Sequence, residues 1–298
     1  MDFILDKKAQ EACRNTIVLS GSARSGTTIL GKLLHSFENV EYAFEPPTLF
    51  AVMPLIDSMP KNQWQLIYET FLYEEFFINA ISGRAINCNR ADDSSIYNVK
   101  SAAEIEERLA TSTSKLAAEA QIHKHTIAYK MPDIVKYLPS LEQLYPDHQM
   151  IIATRKAPQV FSSMFRKGWF DDESLQVNNS IWPCYLLQDK KIPFWVENND
   201  AEEWLDMDEL HRIAYYYIMV NQPLESMPNT YQVKYDELIA NPEQVITALA
   251  EHLGLAFGEK TKELLGSISR QNEEASDSLL AGLTRSVREQ VLAYSDIS

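Results

Sequence analysis

A chain of 298 residues, 45% hydrophobic and 23% charged, has the apolar content to bury a sizeable core. Its formal charge of −15 excludes a broad nucleic-acid surface, which needs stripes of Lys and Arg, and leaves a polyanion only a local basic cleft. Cys13, Cys88 and Cys184 are odd in number and far apart, which fits free thiols in a reducing compartment rather than a disulfide framework. No apolar run has signal-peptide character and no stretch is long enough to cross a bilayer, so a cytoplasmic protein is expected.

The first strand is expected at Thr16–Leu19, and a helix follows from Thr27 with Ile29, Leu30, Leu33, Leu34 and Phe37 at helical spacing. Asn39–Phe44 reads as a second strand. Helical, aromatic-rich sequence fills Leu49–Leu72 and Glu74–Ala80, a polar loop covers Asn87–Ser101, and Ala102–Gln121 is helical with Ile105 and Leu109 as its apolar stripe. Strands are expected again at Thr126–Tyr129 and Gln149–Thr154, with a helix through Leu138, Leu141 and Leu144 between them. Pro158 suits the first turn of the next helix. Trp169–Trp204 reads as irregular, Asp208–Asn221 as a helix and Thr230–Val233 as a strand, and Asn241-Pro242 as a cap and first turn for a helix to His252. Strands alternating with helices predict an α/β fold, a parallel sheet flanked by helices. One domain over 1–298 is expected, with insertions near 48–125 and 166–206.

Ligands of such sheets bind beyond the carboxyl ends of the strands. The loop Ser20–Thr28, Glu45, Lys130 and Arg155 all fall there. The loop carries Gly21-x-x-x-x-Gly26 between a strand and a helix, a spacing that lets backbone N–H groups approach phosphate oxygens at a helix N-terminus. The chain has nine glycines, and Gly21, Gly26 and Gly31 lie within eleven residues, which favours a phosphate loop over an ordinary turn. Thr27-Thr28 replaces the Lys-Ser/Thr of a nucleoside-triphosphate loop, and positive charge comes from Arg24. Neither central strand ends in an acid suited to Mg²⁺, and Asp236 is a weak candidate, so a small-molecule phosphotransferase is the second reading and a nucleotide-binding module without chemistry the third.

Arg24-Ser25-Gly26-Thr27-Thr28 resembles the 5′-phosphosulfate loop of sulfotransferases that use 3′-phosphoadenosine 5′-phosphosulfate (PAPS), and Arg at the basic position is similar to the carbohydrate-type and bacterial members. The same family has a strand ending in Arg with a Ser eight residues on, here Arg155 and Ser163, which the resemblance assigns to the 3′-phosphate. Pro158 stands three residues after the Arg, where the family has two. Val233–Leu255 is similar to a late strand-helix segment of the family and reads as scaffold. The family's C-terminal basic loop has no matching string; Gly282-Leu283-Thr284-Arg285-Ser286 is the nearest, with Arg285 as its candidate contact.

These resemblances imply a P-loop-like sulfotransferase fold, PAPS as sulfuryl donor, no metal, and a small-molecule, sugar or lipid acceptor bearing a hydroxyl. The nucleotide contacts would be Gly21, Arg24, Ser25, Gly26, Thr27, Thr28, Arg155, Ser163 and Arg285. Glu45, in a segment similar to the Phe-x-x-Glu-Pro of carbohydrate-type relatives, is the candidate general base. The position that holds a His in cytosolic relatives reads Ala128-Tyr129-Lys130-Met131-Pro132, which leaves Glu45 as base and Lys130 as either a cation at the leaving group or a structural ion-pair partner. His123 and His125 read as a solvated turn rather than a metal site. Trp169, Phe170, Trp182, Phe194, Trp195 and Trp204 are candidates for an acceptor pocket or for core.

Overall fold

The computed structural model describes residues 3–92, 94–110, 114–177, 183–268 and 277–297. Five strands form a parallel sheet: β1 (Ile17–Gly21), β2 (Val40–Phe44), β3 (Thr126–Lys130), β4 (Gln149–Thr154) and β7 (Tyr231–Lys234), in the order β2-β3-β1-β4-β7. Parallel strands must be joined by crossovers that cover both faces, so their residues are apolar in both directions. Ile17 and Leu19 of β1 point to one cluster and Val18 to the other. Ile151 and Ala153 of β4 likewise oppose Met150 and Ile152.

On one face Leu30, Leu33 and Leu34 of the helix Thr27–Ser36 meet Ile246, Leu249 and Leu253 of the helix Pro242–Leu253. The other face carries Val160, Phe161 and Met164 of Ala157–Lys167, Ile213, Ala214 and Tyr217 of Glu209–Asn221, and the long run 61–81, which stays helical through a π-turn at Phe71–Phe77. No helix among the described residues is long and apolar enough to cross a membrane.

Three expectations are corrected. Ile105 is buried, but Leu109 is 53% exposed, so the helix Ala102–Ala110 seats a single apolar side chain. Asn241 makes no side-chain cap bond; its backbone follows a short helix, Tyr235–Ala240, while Pro242 does occupy the first turn. Trp169–Trp204 is not irregular throughout. It contains a helix (Asp172–Gln176), an antiparallel hairpin of β5 (Cys184–Leu187) and β6 (Lys190–Pro193), and a helix (Ala201–Asp206). The hairpin turns on Gln188 and Asp189, both at positive φ (51° and 61°), a geometry that Asn-Gly normally announces. Buried Arg212 ties this region together, donating to the carbonyls of Trp204, Phe170 and Leu205 and pairing with Asp172 at 2.7 Å.

Gly21 closes β1 at φ 136°, and a Cβ there would lie 2.3 Å from the carbonyl oxygen of Ala153 on β4. Gly254 also has positive φ (67°), with open space around it. Gly21→Ala is therefore expected to destabilise by about 3 kcal/mol or more, and Gly254→Ala by roughly 1 kcal/mol, in urea unfolding. Equal losses at the two sites would show that the contact with β4 carries no weight.

Candidate active site

The carboxyl ends of β1, β2, β3 and β4 meet at one edge of the sheet. Ser20 Oγ donates to the Met131 carbonyl at 2.7 Å, and the Met131 N–H donates to the Leu19 carbonyl at 2.9 Å, which joins the phosphate-type loop to the end of β3. Gly26 caps the helix Thr27–Ser36 in the left-handed region (φ 86°), where any side chain would run into the Tyr235 ring. The helix has no acidic residue in its first turn, which suits an anion at its N-terminus. Thr27 is buried and Thr28 half-buried, and the hydroxyls of Ser22 and Ser25 contact each other across the loop.

The loop and the Arg155–Ser163 segment touch. Arg24, at φ 70°, donates from Nε to Ser163 Oγ at 2.9 Å and stands over Trp169 at 5.7 Å. Arg155 donates from Nη1 to the Arg24 carbonyl at 2.8 Å and from Nε to Gln159 Oε1 at 3.0 Å. Its guanidinium lies 4.1 Å from the centre of the Tyr235 ring. Tyr235 is therefore packed between Gly26 and Arg155, a place that the reading of Val233–Leu255 as scaffold missed; the tyrosine directly after a strand end was the available signal. Arg285 is placed elsewhere. It is exposed, pairs with Glu289 at 2.8 Å, and sits ten residues, about 15 Å of helix, from Ser295, the residue of that helix that reaches Ala157 beside Arg155.

Glu45 and Lys130 form an ion pair, with the ammonium enclosed (side chain 2% exposed) and the carboxylate 35% exposed. Lys130 also lies 4.3 Å from the centre of the Phe44 ring. Glu45 is left-handed (φ 45°), and its N–H donates to the Lys130 carbonyl at 2.9 Å. A cavity of about 310 Å³ adjoins the flanking Phe44 and Pro46, with apolar walls from Phe71, Phe76 and Ile86 and polar ones from Lys32, Asn87 and Ser94. Of the aromatic candidates, Phe170, Trp195 and Trp204 are core; Trp169 and Phe194 are only partly buried, and Trp182 lies outside the described residues.

Asp133, two residues after Met131, had no place in the sequence reading. It is left-handed (φ 70°), and its carboxylate accepts from Tyr216 Oη. Burial pushes its carboxyl up to about 6, and the Glu45 charge pushes the same way, against the bond from Tyr216, the charge of Lys130 and the nearby Ala23 N–H dipole. His125 is no solvated turn: its Nδ1 lies 3.0 Å from the buried Glu41 carboxylate, which Arg108 also pairs at 2.6 Å. Among the described residues no group of three or more His, Cys, Asp or Glu could hold a metal ion.

A model of the sulfotransferase family matches residues 16–259, and the chain belongs to that family. Transfer of a sulfuryl group is the activity this membership supports. Among solved structures, the chain is similar to the sulfotransferase domain of the Synechococcus PCC 7002 olefin synthase (14% identity, TM-score 0.46, covering 95% of this chain and 94% of that one). It is also similar to a sulfotransferase from Mycobacterium avium (17%, TM-score 0.48, 96% and 76%) and one from Mycobacterium tuberculosis H37Rv (14%, TM-score 0.43, 96% and 81%). No curated protein sequence matches the chain.

The raised Asp133 carboxyl sets a sign for stability against pH. Ionised Asp133 is disfavoured in the fold relative to the unfolded chain, so its cost appears as pH rises from about 4 through about 6 and is absent below. Asp133→Asn, neutral at every pH and still able to accept from Tyr216, should melt with the parent near pH 4 and above it at pH 7. A melting advantage confined to acid pH would contradict that assignment.

Proposed function

We propose that the protein moves the sulfuryl group of PAPS to a hydroxyl of an acceptor, with Glu45 as general base. The observation that carries this reading is the Glu45–Lys130 pair at the carboxyl edge of the sheet, one strand away from a loop whose amides and Arg24 suit an anion. The acceptor oxygen attacks sulfur as its proton passes to Glu45. The bond from sulfur to the bridging oxygen breaks, and adenosine 3′,5′-bisphosphate leaves with the electron pair.

In this reading Lys130 meets the charge that develops on that leaving oxygen. Once Glu45 is protonated, Lys130 loses its internal counter-ion, and the departing phosphate replaces it. Arg24, Ser25, Gly26, Thr27, Thr28 and Gly21 would receive the 5′-phosphosulfate, and Arg155 with Ser163 the 3′-phosphate; Tyr235 adds an aromatic face beside them. Arg285 takes no part in this arrangement. The mixed walls beside Phe44 and Pro46, apolar from Phe71 and Ile86 and polar from Lys32, Asn87 and Ser94, suit an acceptor with an apolar body and polar substituents. Residues 1–298 are read as one domain, whose insertions supply most of these walls.

An acceptor screen with labelled PAPS provides the assay. Glu45→Gln is expected to keep bisphosphate affinity while kcat falls by about 10²–10⁴. It should also lower the melting temperature, because Lys130 is left enclosed without its anion. The double variant Glu45→Gln/Lys130→Met should recover the melting temperature and not the turnover. Full turnover in Glu45→Gln would remove it as base.

Transfer should also persist in excess chelator. Loss with EDTA and recovery with Mg²⁺ would favour a phosphotransferase instead.

A further inference from the structure

Tyr216 lies in the middle of the helix Glu209–Asn221, 1% exposed, with its ring against Trp195 (5.1 Å between centroids) and Phe170 (5.5 Å). A phenol at such a place must bring partners for its hydroxyl or lose free energy. It has two. The hydroxyl donates to the Asp133 carboxylate and accepts from the Ala23 N–H, with 2.6 Å between nitrogen and oxygen. Ala23 sits inside the loop Ser20–Thr28. Asp133 also donates its own N–H to the Gly21 carbonyl at 3.3 Å, so the loop is held at Gly21 and again two residues on.

An anion-binding loop works by turning successive N–H groups into one concavity, formed where right-handed and left-handed residues alternate. Here Ala23 points its N–H away, toward the buried phenol, and the next residue, Arg24, is left-handed at φ 70°. The direction of the Ala23 amide therefore fixes where the following amides face. The acceptor of the phenol is a carboxylate oxygen, a role that an amide oxygen at the same place also fills. Glu45 and Lys130 are the other charged groups acting on Asp133.

We propose that Tyr216, clamped by Asp133, is a positioning residue for the loop: it holds the Ala23 N–H and so pre-sets the concavity that Arg24 to Thr27 present to the anionic group of the donor. The identity of that donor rests on the function proposed above; the clamp itself does not. Its effect is pre-organisation. Without it the loop spends part of its time in other shapes, and an anion binds more weakly in proportion to the competent fraction lost.

The test uses the full chain and Tyr216→Phe, which keeps the ring packing and removes only the hydroxyl. In the ligand-free protein, hydrogen exchange at Ala23 is expected to speed by tenfold or more, with the helix Glu209–Asn221 unchanged. Calorimetric titration with adenosine 3′,5′-bisphosphate is expected to show affinity lower by about tenfold, the size of one lost hydrogen bond. Asp133→Asn, which still accepts from the phenol, should keep both readouts near the parent, while Asp133→Ala should resemble Tyr216→Phe. A folded Tyr216→Phe protein with unchanged Ala23 exchange overturns the clamp, as does a variant that merely melts earlier with affinity intact. If Tyr216→Phe does not fold, the contrast between Asp133→Asn and Asp133→Ala decides. A parent protein that fails to bind the bisphosphate would count against the PAPS reading, and the exchange comparison would still decide the clamp.

Discussion

An ammonium group enclosed at the end of a β-strand is the constraint around which the edge of this sheet is built. Lys130 is 1% exposed, and a cation so placed costs several kcal/mol unless an anion accompanies it. Glu45 is that anion, brought there by the chain turning left-handed directly after β2 and anchoring its N–H on the Lys130 carbonyl. The pair is lopsided, one partner enclosed and the other a third exposed, so the Glu45 carboxylate is open to a ligand while the Lys130 ammonium is shut in. A group that must give up its charge to act as a base is thus tied to a cation that needs another negative charge when it does. In the proposed reaction the departing phosphate supplies that charge, which couples base and leaving group through a single lysine.

The same edge concentrates unusual backbone. Arg24, Glu45 and Asp133 follow the ends of β1, β2 and β3, and each holds a positive φ that a side-chain-bearing residue adopts at a cost of order 1–3 kcal/mol. Each is retained by bonds to a neighbouring strand end. Arg24 is held by Arg155 and Ser163, Glu45 by the Lys130 carbonyl, and Asp133 by Tyr216 and the Gly21 carbonyl. The strain is therefore shared between segments far apart in the sequence, and loosening any one releases its neighbours.

Much of the sheet could be read from the chain because parallel strands buried on both faces leave short apolar runs, and Thr16–Leu19 and Gln149–Thr154 are such runs. The loop was legible because three of nine glycines crowd together there. The hairpin at Gln188-Asp189 was not, since a positive-φ turn made from Gln and Asp carries no glycine to mark it. Asp133 and Tyr216 were invisible for a different reason. They are 83 residues apart, and only the crossing of the helix Glu209–Asn221 over the end of β3 makes them partners. Tyr235 escaped because its role depends on a missing side chain, the bare Cα of Gly26 against which its ring lies.

The charge of −15 fits with an anionic donor once the pairing of the local cations is considered. At physiological ionic strength exposed charges farther than about 8 Å are screened, so acids on remote surfaces contribute little to the field at the sheet edge. What matters there is Arg24, Lys130 and Arg155, and the protein already engages all three: a hydroxyl and a ring face for Arg24, a carboxylate for Lys130, a carbonyl, an amide oxygen and a ring for Arg155. The hydroxyl, carbonyl, amide oxygen and ring faces named for the two arginines are neutral groups. A phosphate can join or displace such partners, because a guanidinium facing an anion gains Coulomb energy and a bidentate fork that a neutral acceptor does not give. The third, Lys130, must trade one anion for another, and that trade becomes favourable only as Glu45 takes a proton. In the proposed reaction the arginines bind the donor and the lysine is reserved for the moment of transfer, which places differential binding where it lowers the barrier rather than where it only tightens the ground state.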